Sequence, residues 1–296
     1  MRWKKYSVEM DMTGTTRKAV AEMLSDIFEN EYIFEDNGYY IEDKINRLWS
    51  VLPSETIRAE KLNNDKIVGA NHLYQMKLVT PFFYENEFEF MKSVIDELKN
   101  KDVITNDTTK MSMVLDLSNV DNLEQYKTNL KNIYTSRKNM FQNALNIALN
   151  EIEDFINLYD KKVEFPIFKS TLNNDELLSC IQLSQTISNY AENTTNISEK
   201  INENPNQKFL MRIWLVRAGM IGAEYKFARK MFTQNLKGNS AWVNKVDVEK
   251  ISKAEIEKTE EIQEYSENKF DNEQLQEYSE QEFEAEEPED YISMGM

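Results

Sequence analysis

Alternation opens the chain. From Lys5 to Met12 the apolar residues Tyr6, Val8, Met10 and Met12 take every second position, with Ser7, Glu9 and Asp11 between them. A period of two predicts a half-buried strand that projects those three polar side chains from one face. Thr13-Gly14 ends it, and Thr15 or Thr16 can cap a helix whose stripe is Val20, Met23, Leu24, Ile27 and Phe28. Strand-like material runs from Ile67 to Thr80 and stops at Pro81, and a helix follows from about Glu87 with Phe88, Met91, Val94, Ile95 and Leu98 inward. Met111 to Leu115 is a short strand. Leu130, Ile133, Tyr134, Phe141 and Leu145 recur at helical spacing and predict one long helix from Asp121 to about Asp154. Val163 to Phe168 is a further strand, weakened by Pro166, which cannot donate to a ladder. A helix with Leu177, Leu178, Ile181 and Leu183 comes next, and helical segments around Gly219 and Gly222 run to Gly238. Helices and short strands together predict an α+β domain over residues 1–246.

Composition narrows the chemistry. Seven glycines and five prolines in 296 residues disfavour architectures built on repeated glycine turns. No Gly-x-Gly-x-x-Gly and no Gly-x-x-x-x-Gly-Lys-Ser/Thr occurs, so dinucleotide-fingerprint and P-loop readings have no residues to stand on. A single cysteine, Cys180, forbids an intramolecular disulfide and excludes cysteine-rich zinc sites. It sits among leucines and isoleucine, which predicts a buried, inert thiol. A single histidine, His72, excludes paired-histidine metal helices and reads as a surface residue. Met1 to Lys5 is charged and predicts a chain without a signal peptide. The most apolar stretch, Phe209 to Ala223, is short for a bilayer and carries Arg212 and Arg217. The expectation is a cytoplasmic protein with no membrane partner.

Charge divides the chain in two. The formal net charge is −17, and residues 249–296 hold 17 acids against four lysines. The body is therefore only mildly acidic. Such a balance argues against a nucleic-acid partner, since few cations are left to displace counterions from phosphates. Residues 247–296 read as an acidic low-complexity tail in which Glu264-Tyr265-Ser266-Glu267-Asn268 returns as Glu277-Tyr278-Ser279-Glu280-Gln281. Two readings of it stay open. One is a solvated, disordered tail; the other is a peptide that docks on a basic partner through Tyr265, Phe270, Tyr278, Phe283 and Tyr291.

Glu9 and Asp11 are the first candidates for chemistry. Two apart on a strand, they share a face about 7 Å apart at the backbone. Paired carboxylates repel unless a cation or base lies between them, so they are candidate ligands for Mg²⁺ or Mn²⁺. Glu164, between Val163 and Phe165, is a third carboxylate pointing away from an apolar face.

The segment order resembles the amidoligase family, relatives of the glutamine synthetase and glutamate–cysteine ligase fold. Tyr6-Ser7-Val8-Glu9-Met10-Asp11 is similar to the family's opening strand, Phe-Gly-Val-Glu-x-Glu. Leu78-Val79-Thr80-Pro81 resembles its Glu-Val-Val-Ser-Pro strand end, and Met111 to Leu115 stands where its Gly-x-His-Val-His strand belongs. Lys162 to Phe168 with Thr171-Leu172 is similar to its Gly-Thr-x-Glu-Phe-Arg-x-Phe segment. Trp214 to Gly222 and Asn235 to Ala241 resemble the helical C-terminal segment of some members. The resemblance implies an antiparallel sheet with flanking helices, a helical C-terminal segment, and ligation of a carboxylate to an amine with ATP and divalent metal. It also leaves an oligomer open, because related ligases build sites at or near subunit contacts.

The departures from that pattern fall on its chemistry. Lys77 stands where a metal-facing glutamate is expected, Ser112 and Val114 replace the two histidines, and Pro166 replaces the arginine. Glu9, Asp11 and Glu164 remain as the implied metal set. Lys77 puts a positive charge where a cation should sit, and the lost arginine removes a bidentate binder of phosphate. The expectation is a catalytically degenerate member, without Mg²⁺ or ATP as cofactor. It would bind a protein partner through the former active-site face or the tail. The Asn-, Lys- and Glu-rich composition suggests a phage or mobile-element accessory protein. The alternative is an active ATP- and Mg²⁺-dependent amide ligase.

Overall fold

The alternating segment at the start of the chain is strand β1, Tyr6–Met12, and it lies inside an eight-stranded sheet. The computed structural model describes residues 3–201 and 205–238; the acidic tail and the aromatic repeats in it lie outside the described residues. In chain order the strands are β1, β2 (Tyr32–Glu35), β3 (Gly38–Glu42), β4 (Leu48–Pro53), β5 (Glu60–Asn63), β6 (Lys66–Gly69), β7 (Met76–Val79), β8 (Lys110–Asp116), β9 (Asn157–Tyr159) and β10 (Lys162–Lys169). The helices are α1 (Arg17–Phe28), α2 (Phe88–Asn100), α3 (Leu123–Leu145), α4 (Asn174–Asn193), α5 (Gln207–Arg217) and α6 (Lys226–Thr233). The sheet runs β2-β3-β4-β7-β1-β8-β10-β9 with every neighbouring pair antiparallel, and β5 and β6 form a separate hairpin. This is the α+β architecture with an antiparallel sheet, flanking helices and a helical C-terminal part.

Few glycines do not prevent tight turns here. Asp36-Asn37 joins β2 to β3, Asn64-Asp65 joins β5 to β6, and Asp160-Lys161 joins β9 to β10, all six residues at positive φ. Two successive left-handed residues make the turn whose twist matches flanking strands, and Asn and Asp tolerate that region best after glycine. The expected penalty for a glycine-poor chain is thus removed by side chains that do glycine's work.

Two boundaries differ from the periodicity. The long helix ends at Leu145, not near Asp154, because Asn146 turns left-handed (φ 52°, ψ 53°) and its N–H closes on the Gln142 carbonyl. Beyond it the Asp154 carboxylate accepts from the N–H groups of Asn150 (2.6 Å) and Glu151 (3.1 Å), holding a 3-10 turn at Ile152–Asp154. The stretch from Ile67 to Thr80 is not one strand. Asn71 caps a turn at His72–Tyr74 by accepting from Leu73 N–H at 3.0 Å, and this separates β6 from β7. His72 is exposed, and its carbonyl accepts from Arg17 Nη1 at 2.8 Å.

One face of the sheet carries the core. Tyr6, Val8, Met10 and Met12 join Met76, Leu78, Met111, Met113, Leu115, Val163 and Phe165 in a single hydrophobic cluster with residues of all six helices. Thr16 caps α1 by accepting from Ala19 N–H, as a threonine before an apolar stripe predicts. Phe28, Trp49, Phe83 and Phe90 pack in tilted and edge-on pairs at one end, and Phe141, Phe155, Phe165 and Trp214 do so at the other. Helix α4 is buried on almost every side from Leu177 to Asn189. Polar residues in that stretch find partners inside the protein: Gln185 brackets the Lys4 backbone, accepting at 2.9 Å and donating at 2.7 Å, and Ser188 bonds Tyr126 Oη at 2.7 Å. Asn129 of α3 then closes the helix, its Nδ2 donating to the carbonyls of Ala191 (2.8 Å) and Thr194 (2.6 Å). Cys180 is buried within this helix, and burial pushes its thiol pKa far up, as an inert core thiol requires.

The Pro81 stop shows how the sheet copes with a missing ladder bond. Thr80 N–H donates to the Val8 carbonyl at 3.0 Å, while the Thr80 hydroxyl accepts from Val8 N–H at 2.9 Å. Ser7 Oγ in turn donates to the Thr80 carbonyl at 2.7 Å. Thr80→Val keeps the shape and orphans the buried Val8 N–H, so it should cost about 1–3 kcal/mol. Urea denaturation checks it: a midpoint unchanged from wild type, or lowered as much by Thr80→Ser, would mean the hydroxyl acceptor is not what matters.

Candidate functional site

The alternation that buries one face of β1 presents Ser7, Glu9 and Asp11 on the other. The register extends that second face sideways. Glu9 lies between Val79 of β7 and Ser112 of β8, and Asp11 stands opposite Lys77. Glu164 of β10 pairs with Val114, which pairs with Ser7. All three predicted carboxylates therefore share a face, but Glu164 is two strands from Glu9 and offset along it. Their backbones are roughly 10 Å apart across the sheet and about 7 Å along it.

Each carboxylate already has company. Glu9 Oε2 forms an ion pair with Lys77 Nζ at 3.6 Å, on the diagonal across the β1–β7 pair. Asp11 is only 6% exposed, and its Oδ1 accepts from Ser54 Oγ at 2.8 Å, with Lys110 N–H at 3.4 Å from Oδ2. Glu164 Oε2 accepts from Asn157 Nδ2 at 3.2 Å. Tyr159 of the edge strand β9 lies beside β10, and its phenol is pushed up to about 12 by burial and then by the charges of Glu164, Glu9 and Asp160. The phenol is therefore neutral, a hydrogen-bond donor in an acidic neighbourhood.

The family's other positions are equally altered in space. Pro166 falls in a bulge of β10, between Phe165 opposite Met113 and Phe168 opposite Met111, where a residue without an N–H is tolerated. Lys162 stands over the Phe82 ring at 5.5 Å, and Lys161 occupies the β9–β10 turn. Neither replaces an arginine fork on this face. Among the described residues no three acidic, histidine or cysteine side chains converge into a set able to hold a metal ion. As arranged, Glu9, Asp11 and Glu164 do not converge into a set for Mg²⁺: one is paired with a lysine, one is buried and accepts from Ser54, and one is distant.

The sequence profile described as "Putative amidoligase enzyme" matches residues 4–211. The chain belongs to this family. The matched region runs from β1 into α5, so the amidoligase assignment covers the sheet, its second face and the first four helices. Among solved structures, the chain is similar to a chain in the crystal structure of the complex between prokaryotic ubiquitin-like protein Pup and its ligase PafA. That similarity has a TM-score of 0.29 at 8% identity, and covers 64% of this chain and 46% of that one. This chain thus aligns with less than half the length of that structure. Comparison with curated proteins gives no match. No helix among the described residues is long and apolar enough to cross a membrane.

A second group of polar residues lies in the helical layer, where periodicity offers little warning. Arg137 of α3 and Trp214 and Arg217 of α5 line one cavity with Tyr190 of α4. Only the spacing of Trp214 and Arg217, three apart and so on one helix face, was available to indicate it.

Proposed function

We propose that this amidoligase-family protein works by binding and does not carry out ATP-dependent ligation. The Lys77–Glu9 ion pair is the observation that carries the reading: an ammonium neutralises the carboxylate that a metal would need. Asp11, buried and accepting from Ser54, is held as a structural group. The retained carboxylates then serve as part of a polar recognition face, with the second face of the sheet or the acidic tail as the contact surface for a protein partner. A virion or assembly-accessory role in a phage or mobile element is the concrete form of this reading.

One observation favours a second reading. Glu9, Asp11 and Glu164 do share a face, and Tyr159 senses both Glu9 and Glu164. In that reading the three acids bind Mg²⁺ with ATP and the family's ligase activity is retained, which requires Lys77 to move away from Glu9.

A thermal-shift titration of the full chain with ATP, Mg²⁺ and both together separates the two. Binding at a hundred times the dissociation constant adds about 2.7 kcal/mol of stability. The expected result is no metal-dependent shift at millimolar concentrations. A shift that disappears in Glu9→Ala, followed by phosphate release when amines and carboxylates are screened, establishes the second reading and retires the first.

A further inference from the structure

Helices α3, α4 and α5, with Lys200, Ile201 and Pro205 from the connection before α5, line an open cavity of about 530 Å³ on the helical side of the sheet, away from Glu9 and Asp11. That volume lies in the range of small-molecule sites. Its charge is anomalous for this protein. The chain carries 52 acids against 35 lysines and arginines, yet the described lining contains Arg137, Lys138, Lys200 and Arg217 and no acid. Lys138 is partly committed, its Nζ donating to the Asn150 carbonyl at 2.9 Å. The other three are not tied to a carboxylate among the described residues.

Arg137 is the most telling of them. Its guanidinium is half-buried, with the central carbon 5.8 Å from the Trp214 ring centroid, and it donates to Ser136 Oγ at 2.5 Å. Burial lowers its pKa, with Arg217 adding to that and Tyr190 opposing it. A guanidinium withdrawn from water beside a second guanidinium, with no carboxylate, is an unfavourable arrangement that an anion would relieve. The second observation is independent of charge. Trp214 is 4% exposed, and its Nε1–H is buried with no acceptor among the described residues. Buried indole N–H groups ordinarily find a partner. One buried donor lacking an acceptor therefore belongs to a residue of the same cavity that is lined by cations lacking carboxylates.

We propose that this cavity binds a small organic anion, a phosphate or carboxylate carried on an apolar or aromatic body. Arg137 and Arg217 provide the forked donors suited to such a group, and the faces of Trp214 and Tyr190 provide the apolar surface for the rest of the ligand. Lys200 at the rim adds attraction for anions. This inference does not depend on whether the sheet face has kept or lost ligase chemistry.

The test uses phenyl phosphate, benzoate and inorganic phosphate as probes on the full-length chain, by calorimetric titration and thermal shift. Saturable binding of phenyl phosphate or benzoate is expected, with the comparison between them deciding phosphate against carboxylate, and inorganic phosphate binding more weakly. Arg137→Gln should weaken the preferred probe at least about tenfold, the loss expected for a charge-assisted hydrogen bond. Arg217 is exposed, so Arg217→Gln should fold as wild type and weaken binding several-fold; it decides the matter if Arg137→Gln is unstable. Absence of saturable binding to all three probes, or affinities unchanged in Arg217→Gln, overturns the proposal.

Discussion

Phe141→Ala is expected to destabilise the full-length protein by about 3–5 kcal/mol, the range for deleting a large aromatic from a packed core. Phe141 is fully buried, with ring centroids 5.0 Å from Phe155 and 5.2 Å from Trp214. It therefore joins α3 both to the segment before β9 and to α5. Its removal leaves a void among aromatic rings that helices anchored at several points cannot readily close. Urea denaturation should show a lowered midpoint at unchanged slope, with Phe141→Leu losing considerably less. A loss under about 1 kcal/mol for the alanine variant would mean that α5 packs without depending on this contact.

Lys77→Glu should have the largest effect on the second face. It replaces an attraction at 3.6 Å with a repulsion between Glu9 and a new carboxylate, next to Asp11. Two unit charges at that distance interact by about 4–5 kcal/mol at an effective dielectric of 20. Lys77 is 37% and Glu9 26% exposed, so solvent screens much of this, and a net loss of about 1–2 kcal/mol without metal is expected. Added Mn²⁺ or Mg²⁺ should restore that stability, because the substitution assembles neighbouring carboxylates around an empty centre. Thermal shifts with and without metal measure both halves. If Lys77→Glu is neutral and remains indifferent to metal, Lys77 is not the block, and the reading of the second face built on it fails.

Much of this architecture was legible because burial imposes a period. The alternation of β1, the stripes of α1 and α2 and the core run in α4 follow from which side chains face the helices. The hairpins carry a weaker signal: Asp36-Asn37-Gly38 lies between aromatic-rich segments, but the glycines that ordinarily mark such turns are scarce in this chain. Left-handed Asn and Asp carry those turns instead. Helical spacing continued past Leu145 in the sequence, but a local left-handed residue and the Asp154 side chain set the boundary. For the second face, alternation placed Glu9 and Asp11 correctly on one side. Register alone decides how far Glu164 lies from them, and register is a property of strand pairing that one strand's sequence does not contain. The cationic cavity had still less signal, since it is assembled from three helices far apart in the chain.

The one-sided attachment of the helices has a consequence for how this sequence is free to drift. In β1 the even-numbered residues hold the helical layer, while the odd-numbered ones form the opposite face; in β8 the assignment is reversed. Substitutions that erase an active centre on the second face therefore leave the packing of the other face largely intact. A lineage can lose its chemistry one side chain at a time without passing through an unfolded intermediate, and the vacant face is then free to acquire a different occupation.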